Sequence, residues 1–510
     1  LDLTFTHDNI REVLYQWLNP LRRRALHRQV AEAIETRYAA HLQPYYSQLA
    51  YHHQMADNYA KAVEYLLKAA EQASSVYAFV DAAEYVRTAL DLLIGDTERL
   101  HRAALLRQLG SIYLFTGRLD EAIQADLASA ALWRDIGNVG LQAEAYLDAA
   151  FCSHWQGRES EAIKYVHNAL DCIAAIANLP QATLLFAKAY AQWGLALTVM
   201  GEAPQALEKL RLAETYHSQV GGSDPFVSVV SLWSLAWCHY LTSSPQEMLE
   251  VALKGADVCR TSNKPEWEPM MTYSAAWAYM LLGKLPEAQQ AAQNALLRAQ
   301  QFGVVAAQSW AYLVMAFVAI QAGRWDDAGD YAGKSYAIAE MLQDADLQAR
   351  AQWSRSVCAG WQDNWQQAIA DALASLEQAR KGGEMSMIYP HLLTQTARAY
   401  FYAGDLIQAQ TYLNTAVELA QNRHYRQLPA IAQRLQGRIW QAQGRFEDAH
   451  ACFEHSLADF QDLNDTVEYA RTLEAYGLYL LARRNEGDEE RGQAMIESAR
   501  AIYRRLGING

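Results

Sequence analysis

The chain has 510 residues, 51% of them hydrophobic and 20% charged, with a net charge of −14. That balance suits a continuous core and excludes a disordered chain. The negative charge argues against nucleic acid as a partner, because phosphate binding needs clustered Lys and Arg.

At the start, THDNIREVLYQWL places Ile10, Val13, Leu14, Trp17 and Leu18 at i, i+3, i+4, i+7, i+8 spacing and predicts an amphipathic helix. Asn19-Pro20 opens a second helix whose expected face is Leu26, Val30, Ala33 and Ile34, made basic by Arg22, Arg23, Arg24 and Arg28. Two such helices cannot bury a core alone, so residues 1–42 are expected to be the tail of an upstream module.

Beyond them one short turn recurs: GRLDEA (117–122), GRESEA (157–162), GEAPQA (201–206), GKLPEA (283–288), GRWDDA (323–328), GDLIQA (404–409) and GRFEDA (444–449). DNYAKA (57–62), SSPQEM (243–248) and DNWQQA (363–368) are weaker copies. A spacing of about forty residues, two helices per unit, predicts a solenoid. Gly ends one helix, and acids or Pro begin the next, where the helix dipole and the missing proline N–H favour them.

A steric regularity supports this register. Twelve residues before each turn's last residue stand Ala50, Gly110, Ala150, Gly194, Ala236, Ala276, Ala316, Ser356, Ala397 and Gly437. Seven after it stand Ala69, Ser129, Ala169, Ala213, Gly255, Ala295, Ser335, Ser375, Ala416 and Ser456. All are small, as close helix–helix approach requires. The interval from Ala62 to Ala122 is a period and a half, so an extra helix, FVDAAEYVRTALDLL (79–93), is expected there. The last unit has a longer acidic turn, RRNEGDEERGQA, which assigns Gly477 and Ala501 the small positions. The expected division is 1–42 tail, 43–96 helical cap and 97–510 array.

LRQLGSIY (106–113) followed by Ala122 resembles the tetratricopeptide repeat. Its longer period and turn style resemble the superhelical repeats of the MalT-like regulators and other signal-transduction ATPases of the STAND class. The run from FTHDNIREVLY through RRRALHRQVAEAIE to LAYHHQMADNYAKAVEYLL resembles the junction where the ATPase of such proteins hands over to its repeats. The resemblance implies an all-α, right-handed superhelical solenoid of antiparallel hairpins behind an upstream ATPase.

Catalytic chemistry finds no residue set. GDYAGKS (329–335) is one residue short of a phosphate-binding loop, lacks a preceding strand, and uses Ser335 for packing. His52-His53, His450 with His455, Cys152 with His154 and Cys238 with His239 lack metal-ligand spacing. The six cysteines, without a CxxC pair, read as buried fillers in a reducing compartment. The longest apolar run, AYLVMAFVAI (311–320), is too short to span a bilayer. No enzyme activity, cofactor, metal or membrane is therefore expected, and the location is expected to be cytoplasmic.

Aromatic residues recur where the first helices of tetratricopeptide repeats face a concave groove: Phe151, His154 and Trp155; Trp233, Trp237 and Tyr240; Tyr273, Trp277 and Met280; Trp310 and Phe317; Trp353 and Trp361; Phe401 and Tyr402. Toward the C-terminus the same positions turn basic at Arg398, Arg434, Arg438 and Arg471. These rings either fill the space between repeats or form a stacking surface for a peptide, a sugar, a small molecule or a partner helix, with arginines for a carboxylate. The expected function is a sensor and interaction arm of an ATPase-coupled bacterial signalling or transcription regulator. The alternative is a constitutive protein-binding scaffold.

Overall fold

A computed structural model describes residues 13, 15–93, 95, 98–222, 224–381, 386–423 and 425–508. The expectations placed on residues 1–12 and on Leu14 lie outside them. Every regular element among the described residues is helical. None of these helices is long and apolar enough to cross a membrane. Contacts divide the chain into two compact units, Leu1–Asp148 and Ala149–Gly510.

In the first unit, helix Pro20–Arg37 is capped by Asn19, whose side chain accepts a hydrogen bond from the Arg22 amide at 2.8 Å. It packs on Tyr46–Met55, and its buried residues are His27 and Ala31. The expected apolar face is not the buried one: Leu26 and Val30 are each 41% exposed and Ala33 is exposed. The contact runs one position away, through the i, i+4 pair His27 and Ala31, with His27 Nδ1 at 2.8 Å from His52 Nδ1. The hairpin Tyr46–Met55 and Tyr59–Ser75 follows, then the single helix Phe79–Leu92, then the hairpin Arg99–Thr116 and Leu119–Ile136. The single helix packs between Tyr59–Ser75 and Arg99–Thr116, which is how the repeat frame slips by one helix.

The second unit continues the hairpins. From Pro180–Val199 onward each first helix (A) packs on its own second helix (B) and also touches the next A helix. The A helices Pro225–Leu241, Glu268–Leu281, Val305–Gln321, Ala345–Trp361, Tyr389–Tyr402, Gln427–Ala442 and Thr466–Arg483 thus form a continuous inner layer.

The local causes are those in the sequence. At the A-to-B turns Gly117, Gly157, Gly201, Gly283, Gly323, Gly404 and Gly444 have positive φ, and in the weaker copies Asp57, Ser243 and Asp363 take the same left-handed place. All twenty small contact residues are buried. Where the B-helix residue is serine, its hydroxyl donates to an A-helix carbonyl 26 residues earlier: Ser129 to Ala103, Ser335 to Ser309, Ser375 to Ala349 and Ser456 to Ala430, at 2.6–3.0 Å. In the last hairpin the register differs from expectation. Ala501 is exposed, and Gly492 and Ala499 are the buried small residues of helix Asp488–Leu506. The longer turn displaces the B helix by two fewer residues than its final alanine implied.

The coil of the second unit returns upon itself. The Met387 amide donates to the Val199 carbonyl at 2.6 Å, and the Tyr425 hydroxyl donates to the Met387 carbonyl at 2.5 Å. A methyl on Gly157 would lie 3.3 Å from the Asp346 Cβ, and one on Gly283 would lie 2.9 Å from a Leu506 methyl.

Candidate functional site

Among the described residues, two spaces border the inner layer. The smaller, about 40 Å³, lies among Trp155, Trp233, Trp237, Tyr273, Trp310 and the acid–base group Asp344, Asp346 and Arg350. Trp155 stacks on Trp233 with centroids 5.3 Å apart, and Tyr273 stacks on Trp310 at 5.4 Å. The Arg350 guanidinium sits 4.8 Å from the Trp310 ring and pairs with Asp346 at 2.6 Å. Such a volume holds about one to three waters and no side chain. Phe151 packs beside it against Trp155, Phe226 and Trp267.

Phe151, Trp155, Trp233, Trp237, Tyr273 and Trp277 are therefore buried, and the aromatic positions do not form one open wall. Trp155, Trp233, Trp237 and Tyr273 share the smaller space with Asp344, Asp346, Arg350 and Met387 of the returning turn. Asp344 is buried in the same place. It caps helix Ala345–Trp361 by accepting from the Leu347 amide at 2.9 Å. Burial, with the Asp346 charge beside it, raises its carboxyl to about 7.

The larger space, about 290 Å³, is bordered by Tyr240, Trp277, Phe317, Trp353 and Trp361 at its aromatic end. Arg398, Arg434, Arg438, Arg471, Glu468 and Glu474 border its charged end. Arg434 donates to the Glu468 carboxylate at 2.6 Å and to Thr472 Oγ1 at 3.0 Å, while Arg471 pairs with the other Glu468 oxygen. Burial alone would raise the Glu468 carboxyl, but Arg434 and Arg471 overcome it and hold it at about 2. Arg438 donates to the Tyr402 hydroxyl. His391, between the two ends, is lowered to about 4, first by burial and then by Arg350, so it is neutral near pH 7.

Arg398 differs from its neighbours. It lies 5.6 Å from the Trp361 ring, and its Nε has no acceptor. Burial, then the charges of Arg471, Arg434 and Arg438 acting against Tyr402, bring its guanidinium down to about 10. Two more polar atoms bordering this cavity are buried without partners, Trp277 Nε1 and Gln321 Oε1. Buried polar atoms are nearly always satisfied, and the smaller space has three such orphans as well, Trp233 Nε1, Tyr273 Oη and Asp346 Oδ1.

Of the thirteen sequence-predicted groove residues, Tyr240, Trp277, Trp353, Trp361, Arg398, Arg434 and Arg438 meet at this cavity. Trp155, Trp233, Trp237, Tyr273 and Trp310 border the smaller space, and Phe151 borders neither. The sequence reading missed His391, Gln395 and Glu468. Glu468 sits three residues before Arg471 with Asp465 as N-cap, so it reads as an ordinary helix-start acid. His391 follows Tyr389-Pro390 at a helix start and carries no pattern of its own.

The remaining candidates have structural roles. GDYAGKS lies within helix Trp325–Met341, with Lys334 paired to Asp330 at 2.6 Å. His53 bonds Glu35, and His154 bonds Glu159. Among the described residues no group of His, Cys, Asp and Glu could hold a metal ion.

Residues 390–462 match the family model of the tetratricopeptide repeat. No curated protein matches the sequence. Among solved structures, the chain is similar to a Rap protein complexed with competence and sporulation factor, at 10% identity and a TM-score of 0.57. That likeness covers 72% of this chain and 99% of the other. Also similar is NprR in complex with its cognate peptide NprX, with 14% identity, a TM-score of 0.48 and coverage of 71% and 97%. A third is a STAND protein with a tetratricopeptide-repeat sensor from Pyrococcus horikoshii, with 16% identity, a TM-score of 0.42 and coverage of 82% and 66%. At these identities the shared property is the fold, a helical solenoid of tetratricopeptide type.

Proposed function

We propose that this chain is the ligand- or partner-binding sensor arm of a larger signalling protein, and that its effector occupies the 290 Å³ cavity of the inner layer. The observation that carries the reading is the lining of this space, with Tyr240, Trp277, Phe317, Trp353 and Trp361 at one end and Arg398, Arg434, Arg438 and Arg471 at the other. A cavity at the low end of ligand-pocket size, with an apolar end and a few convergent polar groups, has the composition of a binding site. The Rap protein similar in fold is complexed with competence and sporulation factor. Passing effector occupancy to an upstream ATPase is the role we assign to the arm in its parent protein.

The test is affinity selection from a random short-peptide library and a bacterial metabolite extract, read by mass spectrometry, on the chain and on Val357→Trp. Val357 borders the cavity, and tryptophan there takes up part of it. Compounds held by the chain and released by the variant support the reading. Identical retention by both overturns it. Hydrogen exchange at the Val199–Met387 contact then separates sensing from a static scaffold: an effector changes its protection, whereas a scaffold partner leaves it unchanged.

A further inference from the structure

Four arginines border the larger cavity, and three of them are engaged. Arg434 and Arg471 share Glu468, and Arg438 is held by the Tyr402 hydroxyl. Glu474, the second acid on the lining, accepts from the Tyr503 hydroxyl at 3.1 Å. His391 contributes no charge near neutral pH. Four positive groups thus face two negative ones in a chain whose overall charge is −14. The excess is local, and Arg398 carries the unengaged part of it.

Holding a guanidinium in a partly dry site without an acceptor is unfavourable, and a chain free of other demands would place Met or Gln there. Instead Arg398 is kept with its guanidinium carbon 5.6 Å from the ring centre of Trp361, which is 39% exposed, and its Nε is buried and unbonded. With Nε buried, its two terminal nitrogens are left to present a planar fork, which matches a carboxylate. A phosphate dianion fits less well, since the remaining arginines are occupied and Glu468 and Glu474 border the same space.

We infer that the molecule taken by this cavity carries a carboxylate that seats on Arg398, with an apolar or aromatic body lying over Trp361 and toward Trp277 and Trp353. The inference rests on the cavity being a binding site and names the chemistry of its occupant. The carboxylate belongs to a peptide C-terminus or to a small organic acid. The size of the space suits a body of about two residues more than a long segment.

The experiment uses the full chain and three probes: N-acetyl-leucyl-phenylalanine, its C-terminal amide, and phenylpropionate, each titrated by calorimetry and ligand-observed NMR. The free acid is expected to bind at least about tenfold more tightly than the amide. Arg398→Gln is expected to erase that difference and Arg398→Lys to keep part of it. Phenylpropionate binding as well as the dipeptide acid identifies a small-acid site; a preference for the dipeptide identifies a peptide terminus, and both support the carboxylate. Equal binding of acid and amide, lost together in Val357→Trp, overturns the carboxylate while the cavity reading stands. No binding of any probe at roughly millimolar concentration overturns it too, and the library selection then judges the cavity separately. An acid preference that survives Arg398→Gln also overturns it. The acid–amide comparison on the unaltered chain decides the matter even if a variant fails to fold.

Discussion

Gly477 and Gly492 hold the last two helices backbone to backbone. A methyl on Gly477 would lie 2.7 Å from the Gly492 carbonyl oxygen, and one on Gly492 would lie 2.9 Å from that of Gly477. A backbone oxygen cannot swing aside as a side chain can, so this contact admits no Cβ.

Gly477→Ala should therefore destabilise by about 1–3 kcal/mol, although alanine is the better helix former. Gly329, in the middle of helix Trp325–Met341, has nothing within 4 Å of an added methyl. Gly329→Ala should stabilise by about 0.5–1 kcal/mol. Denaturant melts of the two variants read the contrast directly, and shifts of the same sign would contradict the packing described.

Ala316 and Ala276 are fully buried at the A-helix contact position. Ala316→Leu and Ala276→Leu should each cost about 1–3 kcal/mol through overpacking. Ser375→Ala leaves the small volume but removes the hydroxyl donated to the Ala349 carbonyl, and should cost about 1 kcal/mol. Unchanged melting midpoints in the leucine variants would mean that the helices do not meet there.

Trp237 and Trp277 are 4% and 3% exposed, while Trp361 is 39% exposed. Trp237→Ala and Trp277→Ala should each cost about 3–5 kcal/mol. Trp361→Ala should cost far less while weakening whatever the cavity binds. Similar losses for all three in thermal melts would remove the distinction between buried and exposed rings.

The Asp344 carboxyl holds its proton to about pH 7 in the folded state, well above the ordinary carboxylate range. Between about pH 4 and 7 the folded chain therefore binds more protons than the unfolded one, and this group's contribution to stability falls as pH rises. Asp344→Asn keeps an N-cap acceptor and removes the ionisation. The variant should gain stability over the unaltered chain near pH 8, with the gain shrinking toward pH 5. A difference independent of pH in urea titrations would place the ionisation elsewhere.

The repeat register was legible because it is local. Ala122, Ala162 and Ala288 close turns whose glycines and acids act within a few residues, and the small residues at fixed offsets report the steric limit of one hairpin. The last unit was misread for the same reason: with a turn of new length, Ala494 looked like the closing residue, and only the Gly477–Gly492 contact shows the true register. The inner face was legible as a face. What the sequence did not disclose is which part of that face another turn of the coil would cover. Trp237, one residue after the small position of its A helix, is buried, whereas Trp361, the last residue of its A helix, is 39% exposed. The return that brings Met387 to Val199 is the sum of many small rotations between repeats, and no short window of residues encodes the sum.

An open solenoid can gain or lose a unit and remain a usable, slightly longer or shorter version of itself. This one has fastened Val199 to Met387 and set Gly283 against Leu506, so residues separated by several units depend on the number of units between them. Deleting or duplicating one repeat between Val305 and Lys381 would move both pairs by a whole hairpin, unlacing the coil even where every local contact survived. The number of repeats in this stretch is therefore under the same steric constraint as a buried side chain.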